Sequence, residues 1–415
     1  MKPEWESRTL GDICEFVRGP FGGSLKKSIF KSEGFAVYEQ QHAINNQFNS
    51  IRYFIDENKF SEMQRFELCP GDLIMSCSGT MGKVAIVPET IQRGIINQAL
   101  LKLTPSEELS VEFLRLWMLS PLFQEQLGKR SKGVAIKNVA SVKVLKEISI
   151  DLPLLPVQKR IVAILDEAFA GIDTAIANTE KNLANARELF ESYLQQVFSQ
   201  HGDGWVEKTL GDVCQFENGD RGKNYPSRSE FVDSGIAFIN AGHIDDGVVD
   251  FTKMNYITEE NYDLLSRGKI KLGDILFCLR GSLGKFAVIK NDIQGAIASS
   301  LVIVRPQTDL STRFLLHYLR SGLCKSMIEK YAGGAAQPNL GAKDLAKFSI
   351  SVPPKEQQKV VSEKLDALML EAERLDRIYR EKHNSLKELK QSLLQKAFSG
   401  ELTTEGDKLM DEAVA

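Results

Sequence analysis

Two short glycine-rich segments end in lysine: Gly79-Thr80-Met81-Gly82-Lys83 and Gly281-Ser282-Leu283-Gly284-Lys285, the second preceded by Arg280. Glycine lets backbone N–H groups come close to a phosphate, and the lysine adds a point charge. The pattern resembles the clamping G-x-x-G loop of nucleic-acid modules. It is not a P-loop, because Val84 and Phe286 follow the lysines where Ser or Thr is required. Thr80, Lys83, Arg280, Ser282 and Lys285 are therefore candidate DNA contacts.

Three other segments carry similar chemistry. Arg221, Lys223, Asn224 and Tyr225 lie in the run Asn218-Gly219-Asp220-Arg221-Gly222-Lys223-Asn224-Tyr225, whose counterpart near the start, Gly19-Pro20-Phe21-Gly22-Gly23-Ser24-Leu25-Lys26-Lys27, contributes Lys26 and Lys27. Such loops suit phosphate and base-edge contact. Gln40, Gln41 and His42 align with Ala241-Gly242-His243, Asn240 preceding, so Gln40, Gln41, His42, Asn240 and His243 are candidates. Gln and Asn can pair bidentately with adenine in the major groove. The most basic stretch, Lys129–Asn138, offers Arg130, Lys132, Lys137 and Asn138, and its counterpart offers Gln337 and Asn339.

Catalytic signals are missing from the sequence. It has no amino-methyltransferase [DNS]-P-P-[YFW], no Walker A, no helicase DEAD box, no paired-carboxylate-plus-lysine nuclease pattern and no H-E-x-x-H. The six cysteines form no C-x-x-C pair, which argues against zinc and disulfides and fits a reducing cytoplasm. No apolar run approaches a membrane span, and the first residues lack a secretory h-region. No catalytic residue, metal ligand or cofactor is expected in this chain.

The elements that position these residues occur twice. Residues 5–16 and 205–216 share seven of twelve residues, including Trp5/Trp205 and Cys14/Cys214. The register persists through Gly71-Asp72/Gly273-Asp274, Gln158-Lys159/Gln358-Lys359 and Phe198-Ser199/Phe398-Ser399, with an offset of 200 to 202. So long a period means duplicated domains, not a solenoid, and two like units can pack with pseudo-twofold symmetry. Each half begins with short apolar stretches bounded by Gly, Asn, Asp and Ser, which read as strands: Asp72–Met75, Val84–Val87, Ala99–Leu103, Ile275–Phe277 and Leu301–Val304. One amphipathic helix follows in each, about Val111–Leu127 and Thr312–Lys330.

After Pro153 and Pro353 the spacing turns helical. In the second half the seam reads Val361, Leu365, Leu368, Ala372, Leu375, Tyr379, Lys382, Leu386, Leu389 and Leu393, a heptad pattern with one polar position at Lys382. In the first half it reads Ile161, Leu165, Ala168, Ile172, Ala175, Thr179, Leu183, Ala186, Phe190, Tyr193 and Val197, with a stutter at Ala175–Thr179–Leu183. One seam cannot be buried alone, so each helix needs a partner, and the other repeat supplies it. The expected organisation is α+β: a mixed α/β domain over 1–152, a long helix over 153–200, a second such domain over 201–352, a second long helix over 353–400 and a flexible tail over 401–415.

Charge complicates the DNA reading. The 415 residues carry a formal net charge of −3 from 52 basic and 55 acidic residues, whereas nucleic-acid-binding domains usually carry a basic surplus. By segment, 19 basic against 17 acidic residues lie in 1–150, 4 against 7 in 151–200, 18 against 18 in 201–350 and 11 against 13 in 351–415. The acidic excess sits in the helices and tail, so a DNA surface must be a local patch.

Taken together, W-x₃-T-L-G-D near the start of each half, G-[TS]-x-G-K in mid-domain, Asn339-Leu340, the proline-led helix starts at Leu152–Lys159 and Val352–Lys359, and the matched ends Leu194–Ser199 and Leu394–Ser399 resemble the specificity (S) subunit of type I restriction–modification enzymes over nearly the whole chain. The resemblance implies two recognition domains, each reading half of a bipartite double-stranded DNA target. It implies two long helices in an antiparallel coiled coil that sets the gap. It also implies two methyltransferase (M) subunits carrying S-adenosylmethionine, and restriction (R) subunits using ATP and Mg. Two other readings remain: a coiled-coil adaptor, which the negative charge favours, and a specificity module of another phage-defence methylase. An enzyme with its site between the halves has no residue to motivate it.

Overall fold

The computed structural model describes residues 5–131, 141–200, 202–245, 247–334 and 338–402. Contacts divide the chain into two units, residues 1–180 with 381–415, and residues 181–380.

In the first unit an antiparallel sheet runs in the order Cys14–Arg18, Leu100–Pro105, Leu73–Ser76, Val84–Ile86. A smaller sheet sets Phe35–Tyr38 between Phe54–Ile55, antiparallel, and Gly94–Ile96, parallel. Glu6–Thr9 pairs with Ser149–Leu152 and closes the domain near its two ends. Every residue of Leu73–Ser76 is buried because both faces of this strand are covered. Alternate side chains point to opposite faces of a strand. Leu73 and Met75 enter the core that holds Phe113, Leu114 and Trp117, while Ile74 enters the core that holds Ala36, Tyr38 and Leu100.

The second unit repeats the plan. Its large sheet runs Cys214–Asn218, Leu301–Pro306, Ile275–Cys278, Phe286–Val288, and its small sheet sets Ile236–Ile239 between Asn255–Ile257 and Gly295–Ile297. Ile275 and Phe277 face the helical core, and Leu276 and Cys278 face the small sheet. A short hairpin, Ile244–Asp245 with Val248–Val249, is added here.

The single helix expected after the strands is two helices in each unit: Val111–Leu119 and Pro121–Ser131, then Thr312–Arg320 and Gly322–Tyr331. The break lies at a serine. The Ser120 hydroxyl donates to the Trp117 carbonyl at 2.6 Å, and Ser321 does the same to Tyr318 while accepting from the Cys324 N–H. Both serines are extended, at ψ 154°, and cap the helix that follows. Pro121 reinforces the break, but Gly322 stands in its place in the second unit, so the serine is the shared cause.

The long helices are Leu155–Ser199 and Lys355–Phe398. In the first unit Ile161, Leu165, Phe169 and Ile172 share a core with Leu394, Ala397 and Phe398, and Phe113 meets Phe398 edge-on at 5.1 Å. Asp173 pairs with Lys390 at 2.8 Å and Glu180 with His383 at 3.2 Å. In the second unit Leu365 shares a core with Leu194 and Phe198, and Arg187 Nε donates to Asp376 at 2.9 Å. In both units one residue number falls as its partner's rises, so the paired segments run in opposite directions.

The seam read in the second helix needs correction at two positions. Lys382 is exposed and Leu389 is 46 % exposed, while His383 and Lys390 are half-buried. The least exposed positions therefore step Leu375, Tyr379, His383, Leu386, Lys390, Leu393. This reproduces the stutter of the first helix 200 residues later. Polar residues at two seam positions hid it, because long side chains can lie along a groove with their charged tips paired.

A buried glutamine fastens each long helix to its domain. Gln158 Nε2 donates to the carbonyls of Pro153 (2.8 Å) and Glu108 (2.9 Å), and its Oε1 accepts from the Ser110 N–H at 2.9 Å. Gln358 makes the same three bonds to Pro353, Asp309 and Ser311. All six cysteines are free, and all but Cys69 are buried. Among the described residues no cluster suits a metal ion, and no helix is long and apolar enough to cross a membrane. Of the expected tail, residues 403–415 lie outside the described residues.

Candidate nucleic-acid interface

Both G-[TS]-x-G-K segments form the turn of an antiparallel hairpin, between Leu73–Ser76 and Val84–Ile86 and between Ile275–Cys278 and Phe286–Val288. Their second glycines are compelled. Gly82 and Gly284 have φ of 75° and 85°, and a Cβ there would lie 2.9 Å from Leu127 and 2.8 Å from Ile328. The turn is thus pressed against a helix, and Gln124 Nε2 reinforces this by donating to the Gly82 carbonyl at 3.3 Å. From inside, Ser76 Oγ donates to the Thr80 carbonyl (2.6 Å) and accepts from the Lys83 N–H (3.0 Å). Thr80 and Lys83 are left exposed. In the second hairpin Cys278 replaces this serine, and the Lys285 N–H turns to the Ser282 carbonyl at 3.0 Å. Lys285 is exposed but meets Asp245 at 3.3 Å, a contact of small energy between solvated groups.

The other candidate loops adjoin these turns. In the second unit the Ala241 N–H reaches Ser300 Oγ at 3.4 Å, and a Cβ on Gly281 would lie 3.7 Å from the Ala241 methyl. Arg221 Nη2 donates to the Ser299 carbonyl at 3.2 Å. The Arg280 backbone bridges to Asn339, and the Leu340 N–H donates to Leu279 at 2.9 Å. Loops 219–222, 240–243, 281–285, 298–300 and 338–340 therefore form one rim at one end of the strands. In the first unit the helix Gln40–Asn45 packs on the hairpin strands, and the Asn97 N–H donates to the Tyr38 carbonyl at 2.9 Å, so the same loops converge there.

Not every candidate faces outward. His42 is fully buried: its Nδ1 accepts from the Glu39 N–H at 2.9 Å and its Nε2 faces the Ser50 carbonyl at 3.1 Å. His243 is buried as well, with Nδ1 accepting from the Asn240 N–H at 3.1 Å, and burial holds its pKa below the usual histidine range. Both rings stitch the turn after a strand, so they are removed from the DNA contacts. Asn224 donates to the Leu264 carbonyl at 2.9 Å, and Tyr225 packs edge-on against Phe238. Both side chains are half-buried, Tyr225 against the small-sheet core and Asn224 on its loop, so they stay among the candidate contacts.

Lys26, Lys27, Gln41, Arg221, Lys223, Arg280 and Asn339 are exposed, Gln40, Asn240 and Ser282 half-buried. Asn240 Oδ1 is occupied by the Gly242 N–H at 2.8 Å. Lys132, Lys137, Asn138 and Gln337 lie outside the described residues, as does the side chain of Arg130.

Asp220 is a determinant that the sequence reading passed over. Its carboxylate is buried and accepts from the N–H groups of Arg221 (2.7 Å), Gly222 (2.9 Å) and Ser266 (2.9 Å) and from Ser266 Oγ (2.8 Å). These bonds, that from Gly222 foremost, bring its pKa down to about 2. It holds the loop that presents Arg221. The signal was present as an Asx turn in Asn218-Gly219-Asp220-Arg221-Gly222.

Residues 2–185 and 202–380 both match the type I restriction modification DNA specificity domain. The chain belongs to the type I specificity (S) subunits. It is 21% identical over 425 residues to the MjaVIII specificity subunit of Methanocaldococcus jannaschii, covering 96% of this chain and 93% of that one. It is 23% identical over 366 residues to the EcoBI specificity subunit of Escherichia coli, covering 81% and 74%. The fold matches the HsdS subunit from Thermoanaerobacter tengcongensis with a TM-score of 0.65 at 21% identity, over 97% of this S subunit and 98% of that chain. A chain solved in work on complex assembly and conformational transition of the type I R-M system matches with a TM-score of 0.79 at 22% identity, over 97% and 99%. This S subunit accordingly has a specificity role in a type I restriction–modification system.

Proposed function

We propose that this S subunit reads a bipartite, asymmetric double-stranded DNA target and scaffolds the subunits that act on it. Residues 1–152 and 201–352 are the two target-recognition domains, each taking one half-site through its loop rim. Residues 153–200 and 353–400 are spacer helices that form an antiparallel coiled coil relating the domains by a pseudo-twofold. Residues 401–415 are a tail. The observation that carries this reading is a shared scaffold with divergent rims. Gly82/Gly284 are pressed against a helix in both units and Gln158/Gln358 make the same three bonds, whereas Glu39-Gln40-Gln41 corresponds to Asn240-Ala241-Gly242 and Lys26-Lys27 to the Arg221 loop. Two readers that differ at their exposed positions require two different half-sites.

The chain itself performs no catalysis. Two M subunits with S-adenosylmethionine dock on the acidic helices, and R subunits supply ATP- and Mg-dependent cleavage, all in the cytoplasm. The net charge of −3 makes the lone chain a weak DNA binder. The coiled coil acts as a ruler that sets half-site centres about one duplex turn, ~10 bp, apart.

A footprint of the chain assembled with its M subunits tests the reading. Protection of two short blocks separated by an indifferent gap is expected. Equal protection of every sequence would sink it. Lengthening both helices by one turn should widen the gap and leave the half-site bases unchanged.

A further inference from the structure

Phe21 is 71 % exposed, the most exposed phenylalanine of the described residues, yet its backbone is fixed on both sides. Before it, Gly19 is wedged so tightly that a Cβ would lie 1.8 Å from the Asn97 carbonyl oxygen, and its N–H donates to the Leu100 carbonyl at 3.0 Å. Pro20, which is buried, locks the next φ. After it, Ser24 Oγ donates to the Phe21 carbonyl at 3.0 Å, and Leu25 is anchored in the core with Val37 and Phe60. The Arg18 guanidinium sits 5.8 Å from the Phe21 ring, and Asn97, whose carbonyl faces Gly19, donates its N–H to the Tyr38 carbonyl of the same rim. The ring therefore stands on the loop rim of the first unit, held outward with only the Arg18 guanidinium beside it.

The repeat makes the position informative. At an offset of 200, Gly219 is wedged in the same way against the Ile297 carbonyl, and the residue held outward is Arg221. The same backbone device presents an apolar ring in one unit and a guanidinium in the other. Neither side chain serves the core of its domain. An exposed ring held rigidly leaves water readily and loses little conformational entropy when covered. On a base edge in the major groove, the one apolar group it can cover is the C5-methyl of thymine.

Resting on the bipartite reading proposed above, we infer that Phe21 is a specificity-determining residue of the first half-site and covers the C5-methyl group of a thymine there. The test uses the full chain assembled with its M subunits and a duplex carrying its target. Each thymine of the first half-site is replaced in turn by deoxyuridine, which removes the methyl alone. One replacement should weaken wild-type binding about fourfold, the value of one buried methyl-sized group. Phe21→Ala should bind the thymine and deoxyuridine duplexes equally and keep its melting temperature, because the ring is not part of the core.

A first half-site without thymine overturns the inference. So does wild-type binding that ignores every uracil, or a Phe21→Ala variant that keeps the uracil penalty. If Phe21 were an unstacking wedge, Phe21→Ala would lose affinity with no uracil dependence at any position, which also overturns it. Base changes in the second half-site should still weaken the variant. A wild-type complex that fails to distinguish target from scrambled duplex would break the bipartite reading instead.

Discussion

The two repeats solve the same packing problem with different polar parts. In the first unit the buried Asp72 accepts from Thr104 Oγ1 at 2.5 Å and lies 3.7 Å from Lys102 Nζ. In the second, the equivalent Asp274 takes two bonds from Arg305, at 2.7 and 2.8 Å, and Arg305 also pairs with Glu217. Leu116 packs plainly in the first unit, while its counterpart His317 is buried and bonds Asp366 at 2.7 Å, which Arg313 also holds. By contrast, Gly19/Gly219, Gly82/Gly284 and Gln158/Gln358 have not diverged in kind. A buried carboxylate needs partners, and several residue types can supply them. A backbone in van der Waals contact with another backbone tolerates only glycine. Divergence inside is carried by buried polar groups that bring their own partners, and divergence on the rim is what changes what the surface can read.

The largest test of this comparison lies at the wedged glycines. Gly19→Ala should destabilise the first unit by about 4 kcal/mol or more, since the added methyl meets backbone. Gly219→Ala should cost less, because its Cβ would lie 2.7 Å from the nearest carbonyl instead of 1.8 Å. Thermal unfolding of the two variants measures the difference, and equal losses would break the ranking.

Next come the glutamine clamps. Gln158→Leu and Gln358→Leu each leave two carbonyls and one N–H without their partner and should cost about 2–4 kcal/mol each. Here the repeats should respond alike. A difference well above 1 kcal/mol in denaturant midpoints would show that the clamps are not equivalent.

A pH effect should separate the repeats. Burial holds His243 and His317 below the usual histidine value of 6.5, and for His317 it outweighs the neighbouring Asp366. The unfolded chain takes up these protons near pH 6.5 while the folded chain does not. Stability is therefore complete above that pH and falls as pH drops below it. His317→Leu, which installs the residue type of the first unit, should flatten the decline between about pH 6.5 and 5. Asp366 keeps Arg313 as its partner in that variant. An unchanged slope in denaturation midpoints would remove His317 from the account.

The smallest effect is expected at the turn lysines. Lys83 has no ion-pair partner among the described residues, whereas Lys285 meets Asp245. Lys83→Ala in the assembled complex should lower the slope of log affinity against log salt by about 0.9. Lys285→Ala should lower it by less.

The duplication, the inner strands of each large sheet and the long helices were legible because glycine turns, strand alternation and heptad spacing are local signals, whereas the small-sheet strands Phe35–Tyr38 and Ile236–Ile239 were not picked out. The helix break at Ser120 was not, since a capping serine inside an apolar run leaves the helical period intact on both sides. The stutter in the second helix was hidden because His383 and Lys390 occupy seam positions that apolar residues normally mark. At the site, residue type alone put His42 and His243 among the contacts, and only burial shows that they serve the turns. Phe21 was overlooked for the opposite reason: an apolar residue reads as core until its exposure is seen.

The methylated motif of host genomic DNA, mapped with and without this chain, tests the central claim most directly. The account predicts one bipartite motif that disappears without the chain and whose two halves differ in sequence. A contiguous motif, two identical half-sites, or methylation that persists without the chain would contradict it.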